Sequence, residues 1–160
     1  MTGMINLAGI TKAFGAKQVL QGVDLNIEKG RSVVVIGGSG SGKSVMLKSI
    51  LGLLTPDAGT IHVDGTQTVG LSRRAREHID ANMGMLFQSG ALFDSLPVWR
   101  NVAFRGLQDN TLDTQAARDI AVTSLAQVGL GPELLDVFPA ALSGGMQKRV
   151  GLARAIASKP

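Results

Sequence analysis

Residues 37–44 read Gly37-Gly38-Ser39-Gly40-Ser41-Gly42-Lys43-Ser44 and satisfy G-x-x-x-x-G-K-[ST] at every fixed position. The chemistry this pattern serves is the cradling of phosphate oxygens by successive backbone N–H groups. That demands φ values and close approaches which side-chain-free residues permit most easily, and glycine fills every second or nearer position here. Lys43 is placed to reach the β and γ phosphates of a nucleotide, and the Ser44 hydroxyl to ligate Mg²⁺. A helix starting near Gly42 would aim its positive end at the anion. The bland alternative is a glycine-rich turn with an incidental lysine. It is outweighed because an apolar β-branched run precedes the motif and an amphipathic pattern follows it, the context the motif requires.

A second locus is Leu142-Ser143-Gly144-Gly145-Met146-Gln147. Ser143 can cap a helix whose first N–H groups Gly144 and Gly145 leave uncovered, giving another helix start suited to an anion. Alone it would read equally well as an ordinary serine cap. His62 and His78 have no ligand-like neighbours in sequence and read as structural or solvated. Arg73, Arg74 and Arg76 read as a solvated helix face, with contact to an anionic partner as the lesser alternative.

These residues need elements to hold them. Met4 to Leu7 and the alternating Val23 to Ile27 predict strands of an antiparallel layer. Ser32 to Ile36 is continuously apolar and predicts a strand covered on both faces, and Met83 to Phe87 a second such strand. From Lys43, apolar steps of three and four through Val45, Met46, Ile50 and Leu53 predict a helix to about Leu54, stopped by Thr55 to Gly59. Thr60 to Val63 with Asp64-Gly65 predicts a strand and tight turn. Ser72 should cap a short helix with its arginines outward and Ala75 and Ile79 inward. Asn101 to Gly106, after Pro97, predicts a helix. Asp113 should cap another that buries Ala117, Ile120, Ala121, Ser124, Leu125 and Val128 and closes at Gly129. Ser143 opens a last helix with Met146, Val150, Ala153 and Ala157 on one stripe.

Composition bounds the possibilities. The chain has 160 residues and no cysteine, which excludes disulfide scaffolds, thiol nucleophiles and zinc fingers. The net charge of +4 suits anionic ligands without selecting one. The apolar runs are far shorter than the roughly 20 residues a membrane helix needs, and Met1 to Ile10 lacks a signal pattern, so a soluble, unexported chain is expected. Glycine, at 21 residues, is in excess, and the two loci above account for part of it.

With both loci in view, Leu142-Ser143-Gly144-Gly145-Met146-Gln147 closely resembles the L-S-G-G-Q signature of ABC ATPases, with Met146 intervening before Gln147. The resemblance covers the whole chain. It implies an α/β P-loop NTPase of ABC type: a parallel core sheet with helices, an N-terminal antiparallel β layer and a helical signature subdomain. On this basis residues 1–88 form the nucleotide-binding core with its antiparallel layer, and 89–160 the Q-loop, helical subdomain and signature helix. Gln88 resembles the Q-loop glutamine, which the resemblance implies touches Mg²⁺ and the attacking water. Phe14 resembles the aromatic that stacks on adenine, although a core phenylalanine remains the alternative. Phe87 to Leu96, Asn101 to Phe104 and the Lys148-Arg149-Val150 following the signature look like the ATPase subunit of Mla-type phospholipid transporters. Arg100 departs from that pattern, which usually carries an acidic residue there, and so bears on partner docking.

The resemblance implies ATP and Mg²⁺ as cofactors, a second ATPase subunit in a homodimer, and an integral-membrane permease met through the Gln88 loop. It places the chain peripherally at the cytoplasmic side of a bacterial inner membrane, with no nucleic-acid partner. In the dimer, Ser143 and its neighbours would act on nucleotide held by the other copy's Lys43. The family's apolar strand ending in Asp-Glu, its D-loop and its switch histidine have no counterpart in residues 1–160, and none of Asp109, Asp113, Asp119 or Asp136 follows an apolar strand. Efficient hydrolysis and independent stability are therefore not expected of these residues alone. Two other functions compete. One is a nucleotide-binding remnant or regulatory module without turnover. The other is a soluble non-transport ABC protein, disfavoured because only a compact helical stretch separates Gln88 from Ser143.

Overall fold

The computed structural model describes residues 4–88 and 90–160, and of Arg73 the backbone alone. Ser89, part of the stretch likened to the Q-loop, and the first three residues lie outside the described residues. The chain divides into two compact units, one up to Asp80 and one from Ala81.

The first unit is built on a four-stranded sheet in the order β2-β1-β3-β4. Strand β1 (Ile5–Phe14) runs antiparallel to β2 (Lys17–Ile27), with Ile5 opposite Ile27 and Phe14 opposite Lys17. Both strands exceed the predicted segments and form the expected antiparallel layer. On its other edge β1 pairs with β3 (Ala58–Val63), and β4 (Thr66–Gln67) completes a hairpin. Asp64 and Gly65 turn that hairpin at φ values of 47° and 77°, the left-handed pair a two-residue turn requires. Leu7, Ile10, Leu20, Ile61 and Val63 are buried on this sheet.

Helix α1 (Lys43–Ile50) follows the glycine loop and buries Met46, Ser49 and Ile50. It ends four residues before the predicted Leu54: Leu53 and Leu54 both direct their N–H groups to the Lys48 carbonyl, and Leu53 is exposed. Helix α2 (Arg73–Ala81) is capped by Ser72 as expected, its hydroxyl accepting from Ala75 N–H at 3.3 Å. Its predicted orientation is corrected at two positions. Arg76 points inward, donating to the Ile50 carbonyl at 2.6 Å and pairing with Asp80 at 3.0 Å, while Ala75 is exposed. A long side chain can bury its stem and still satisfy its charged end, which the periodicity of apolar letters does not register.

Two predicted strands are also corrected. Residues 32–36 and 83–87 form no ladder; Val34 and Ile36 are 82% and 88% exposed, and Leu86 and Phe87 are likewise exposed. A strand is a pairing of backbones rather than a property of one run. No described segment supplies either run with a partner.

In the second unit, α3 (Val98–Val102) and α4 (Phe104–Gln108) replace the single predicted helix over Asn101–Gly106, broken at Ala103. Helix α5 (Thr114–Gln127) is capped by Asp113, whose carboxylate accepts from Ala116 N–H at 2.8 Å. Gly129 closes it at φ 69°, as Leu130 N–H returns to the Leu125 carbonyl. The core gathers Val98, Trp99, Val102, Ala117, Ala121, Leu125, Val150 and Ala153. Ile120 and Val128, predicted for the same face, are half-buried at its margin. Helix α6 (Gly144–Ile156) supplies Val150 and Ala153, with Met146 and Ala157 packed at the rim of the stripe.

Candidate functional site

In the first unit the strand-free run 32–36 delivers the glycine loop to the start of α1. Gly42 occupies the N-cap position at φ 93°, ψ 0°. A Cβ there would lie 2.9 Å from Leu20 Cδ2 and 3.0 Å from the Val19 carbonyl, so only glycine allows the loop to press against β2. The α1 start has no side-chain cap, in contrast to α5 and α6. Its first-turn N–H groups therefore keep their affinity for an anion.

Lys43 folds over this loop. Its ammonium donates to the carbonyls of Gly37 and Gly38, both at 2.7 Å, and to Ser41 Oγ at 3.3 Å. A positive charge is thus pinned where phosphates would enter. The loop, with Ser39, Gly40, Ser41, Gly42, Lys43 and Ser44, faces Phe14, Lys17 and Val19 across a cleft of about 510 Å³. Phe14 is 50% exposed, which sets aside its reading as a core residue and leaves a ring face free to stack. The glycine loop and Phe14 lie 23 positions or more apart in sequence, and β1 and β2 bring them to one cleft. Lys17 was missed by sequence reasoning, its only signal being its place opposite Phe14 at the hairpin end.

Among the described residues no three His, Asp or Glu side chains gather as a metal site. Ser44 is exposed on this cleft, and its hydroxyl is a protein oxygen that could hold Mg²⁺, an ion that usually takes only one or two protein oxygens at nucleotide sites.

The second unit carries the other candidates. Ser143 caps α6, accepting from Met146 N–H at 3.3 Å. Gly144 and Gly145 are exposed, with nothing within 4 Å of where a Cβ would stand, so a ligand can approach their backbone closely. The remaining members of the motif turn inward. Leu142 is buried, Met146 packs on the core, and Gln147 Nε2 donates to the Pro139 carbonyl at 2.9 Å. Gln147 therefore holds the turn ahead of Ser143, and the surface the motif presents is Ser143-Gly144-Gly145.

Gln88 is exposed on a turn closed by Gly90 N–H to the Phe87 carbonyl. Arg154, unremarked in the sequence, grips the chain just beyond it, donating to the Gly90 and Ala91 carbonyls at 2.7 and 2.8 Å. Burial lowers the pKa of its guanidinium, which nonetheless remains charged. Arg100, singled out as a departure, lies over the Trp99 ring at 5.2 Å.

Residues 20–160 match the family described as ABC transporter. The chain belongs to that family. Among curated ABC proteins it is similar to the probable ribonucleotide transport ATP-binding protein mkl of Mycobacterium bovis, 43% identical over 98% of this chain and 43% of that protein. It is 39% identical to the intermembrane phospholipid transport system ATP-binding protein MlaF of Haemophilus influenzae, over 98% of this chain and 59% of that one. The chain thus spans about half the length of these relatives. Among solved ABC structures it resembles the dimeric post-hydrolysis state of the ATP-binding cassette MJ0796 bound to ADP and Pi, with a TM-score of 0.88 and 32% identity over 98% of this chain and 71% of that one. The ABC-type α/β fold with its N-terminal antiparallel sheet is therefore as expected. Among the described residues no helix is long and apolar enough to cross a membrane.

Proposed function

We propose that this chain is the ATP-binding part of a motor subunit that drives phospholipid transport in a bacterial envelope. The observation carrying this is the cleft that sets the Lys43-capped glycine loop opposite the exposed ring of Phe14, a phosphate cradle and a base platform together. In this reading Gly37 to Gly42 bind the triphosphate through backbone N–H groups, Lys43 neutralises its outer charge and Phe14 stacks on adenine. Mg²⁺, held by Ser44, would neutralise charge that develops during phosphoryl transfer.

Ser143, Gly144 and Gly145 serve nucleotide bound to a second copy, so that ATP is sandwiched in a homodimer. A membrane permease docks through the Gln88 loop, which keeps the subunit peripheral on the cytoplasmic face of the inner membrane. The similarity to MlaF and the Phe87 to Leu96 and Asn101 to Phe104 stretches support phospholipid as the cargo, while mkl carries a ribonucleotide name.

The test is ATP turnover by the full-length protein with its copurified membrane partner, reconstituted in vesicles. Phospholipid in the partner's cavity should stimulate turnover, and ribonucleotides should not. Lys43→Ala should reduce turnover at least tenfold through loss of a charged contact to phosphate. Stimulation by ribonucleotides and not by phospholipid would refute the cargo, and full turnover by Lys43→Ala would refute the site.

A further inference from the structure

Phe14 stands at a place where the sheet runs out. Strand β3 begins at Ala58, opposite Thr11, so β1 continues through Lys12, Ala13 and Phe14 with no strand beside it on that edge. These residues pair with β2 alone, and a strand end held on one edge is less firmly fixed than one held on both, which bears on the ring it carries. Asp57, the residue before β3, takes over the missing pairing. Its N–H donates to the Thr11 carbonyl at 2.9 Å, and its carboxylate then reaches one step further. One carboxylate oxygen accepts Ala13 N–H at 2.7 Å and the other accepts Lys12 Nζ at 2.6 Å.

The Lys12 ammonium so anchored lies 5.8 Å from the centre of the Phe14 ring. The Lys12 side chain is only 15% exposed, which keeps this contact from being fully dissolved by water. Two independent links, one through the backbone of Ala13 and one through Lys12, therefore run from a single carboxylate to the aromatic side of the cleft. Charge-assisted hydrogen bonds of this length are the stronger kind.

We propose that Asp57 is a positioning residue for the nucleotide base: it extends the β1–β3 ladder to Ala13, and with Lys12 holds the Phe14 ring against the base of a nucleotide whose phosphates lie on the glycine loop. This rests on the reading of Phe14 as the base platform. Asp57 touches no part of the nucleotide, so its effect is confined to ligands that have a base.

That confinement supplies the test. Affinities of the full-length protein for ATP and for inorganic tripolyphosphate, both with Mg²⁺, are measured by calorimetry for the native sequence, Phe14→Ala, Asp57→Ala, Asp57→Asn and the Phe14→Ala/Asp57→Ala pair. Phe14→Ala should lower the ATP-to-tripolyphosphate affinity ratio by roughly fivefold, the scale of one aromatic stacking contact. Asp57→Ala should lower the same ratio by about threefold while tripolyphosphate affinity stays at the native value. Asp57→Asn keeps an acceptor for Ala13 N–H but loses the ion pair, and should fall between. The double variant should be no worse than Phe14→Ala. If Phe14→Ala lowers the ratio and neither Asp57 variant does, the positioning role is overturned and the base platform stands. Equal weakening toward both ligands in the Asp57 variants also overturns it, as general loosening of the fold. A native ratio in Phe14→Ala overturns the platform itself.

Discussion

Trp99 is the chain's one tryptophan and has two guanidinium groups over its ring, Arg100 at 5.2 Å and Arg118 at 5.4 Å. Arg118 is held there by a bidentate pair with Asp136, at 2.8 and 2.7 Å. The hydrogen bond from Arg118 lowers the Asp136 pKa below the usual carboxylate value, and the same bond raises that of Arg118. A carboxylate with a depressed folded pKa contributes stability above its unfolded value and loses it as pH falls through the folded one. Acidifying below about pH 4 should therefore release Arg118 and change Trp99 fluorescence in a step. Asp136→Asn should show the acid-side emission already at neutral pH and no such step. A step that persists in Asp136→Asn would mean the tryptophan reports some other group. The same sign applies to Asp57, whose pKa is lowered first by the Lys12 bond and then by Ala13 N–H.

Helix α6 carries more than its exposed first turn. Gly151 lies so close to the loop after Gln88 that a Cβ on it would stand 2.9 Å from Gly90 Cα, and Arg154 binds that loop's carbonyls one turn later. Any tilt of α6 is thus felt directly by the backbone beside Gln88. The segment between that loop and α3 is fixed from below by Asn101, which is fully buried. Its Oδ1 accepts Phe93 N–H at 2.7 Å, and its Nδ2 donates to the Leu96 and Phe93 carbonyls at 2.8 and 3.1 Å. Asn101→Ala would strand Phe93 N–H and two carbonyls away from water. It should destabilise the chain by about 3 kcal/mol, read from the denaturant midpoint. A loss below about 1 kcal/mol would indicate that water replaces the amide.

Two helix starts suited to anions, one uncapped at Gly42 and one presenting Ser143 to Gly145, make sense together if two copies share a nucleotide. A bulky cation at the exposed cap should then separate pairing from binding. In the full-length protein, Ser143→Arg should leave ATP affinity of the single subunit unchanged and abolish ATP-dependent dimerisation, measured by light scattering. ATP-dependent dimers of native strength in Ser143→Arg would remove this surface from the pairing scheme. The cap contact itself is worth about 1 kcal/mol, so the variant should still fold.

The division between what was legible and what was not follows the range of the interactions. The glycine loop, the caps at Asp113 and Ser143 and the Asp64-Gly65 turn are local: each depends on conformational preferences or hydrogen bonds within a few residues, and those are written in residue type. The amino-acid sequence alone therefore determined the glycine loop, the family resemblance and most helix starts. Only the tertiary structure decided where long side chains and unpaired backbones go. It turned Arg76 inward onto the Ile50 carbonyl, aimed Gln147 at Pro139, left the apolar runs 32–36 and 83–87 without partners, and set Asp57 against Ala13. Each of those outcomes turns on whether a partner outside the local pattern reaches hydrogen-bonding range, as Ile50 does for Arg76 and Asp57 for Ala13 and as no described strand does for the two runs, and no local pattern of apolar and polar residues encodes that.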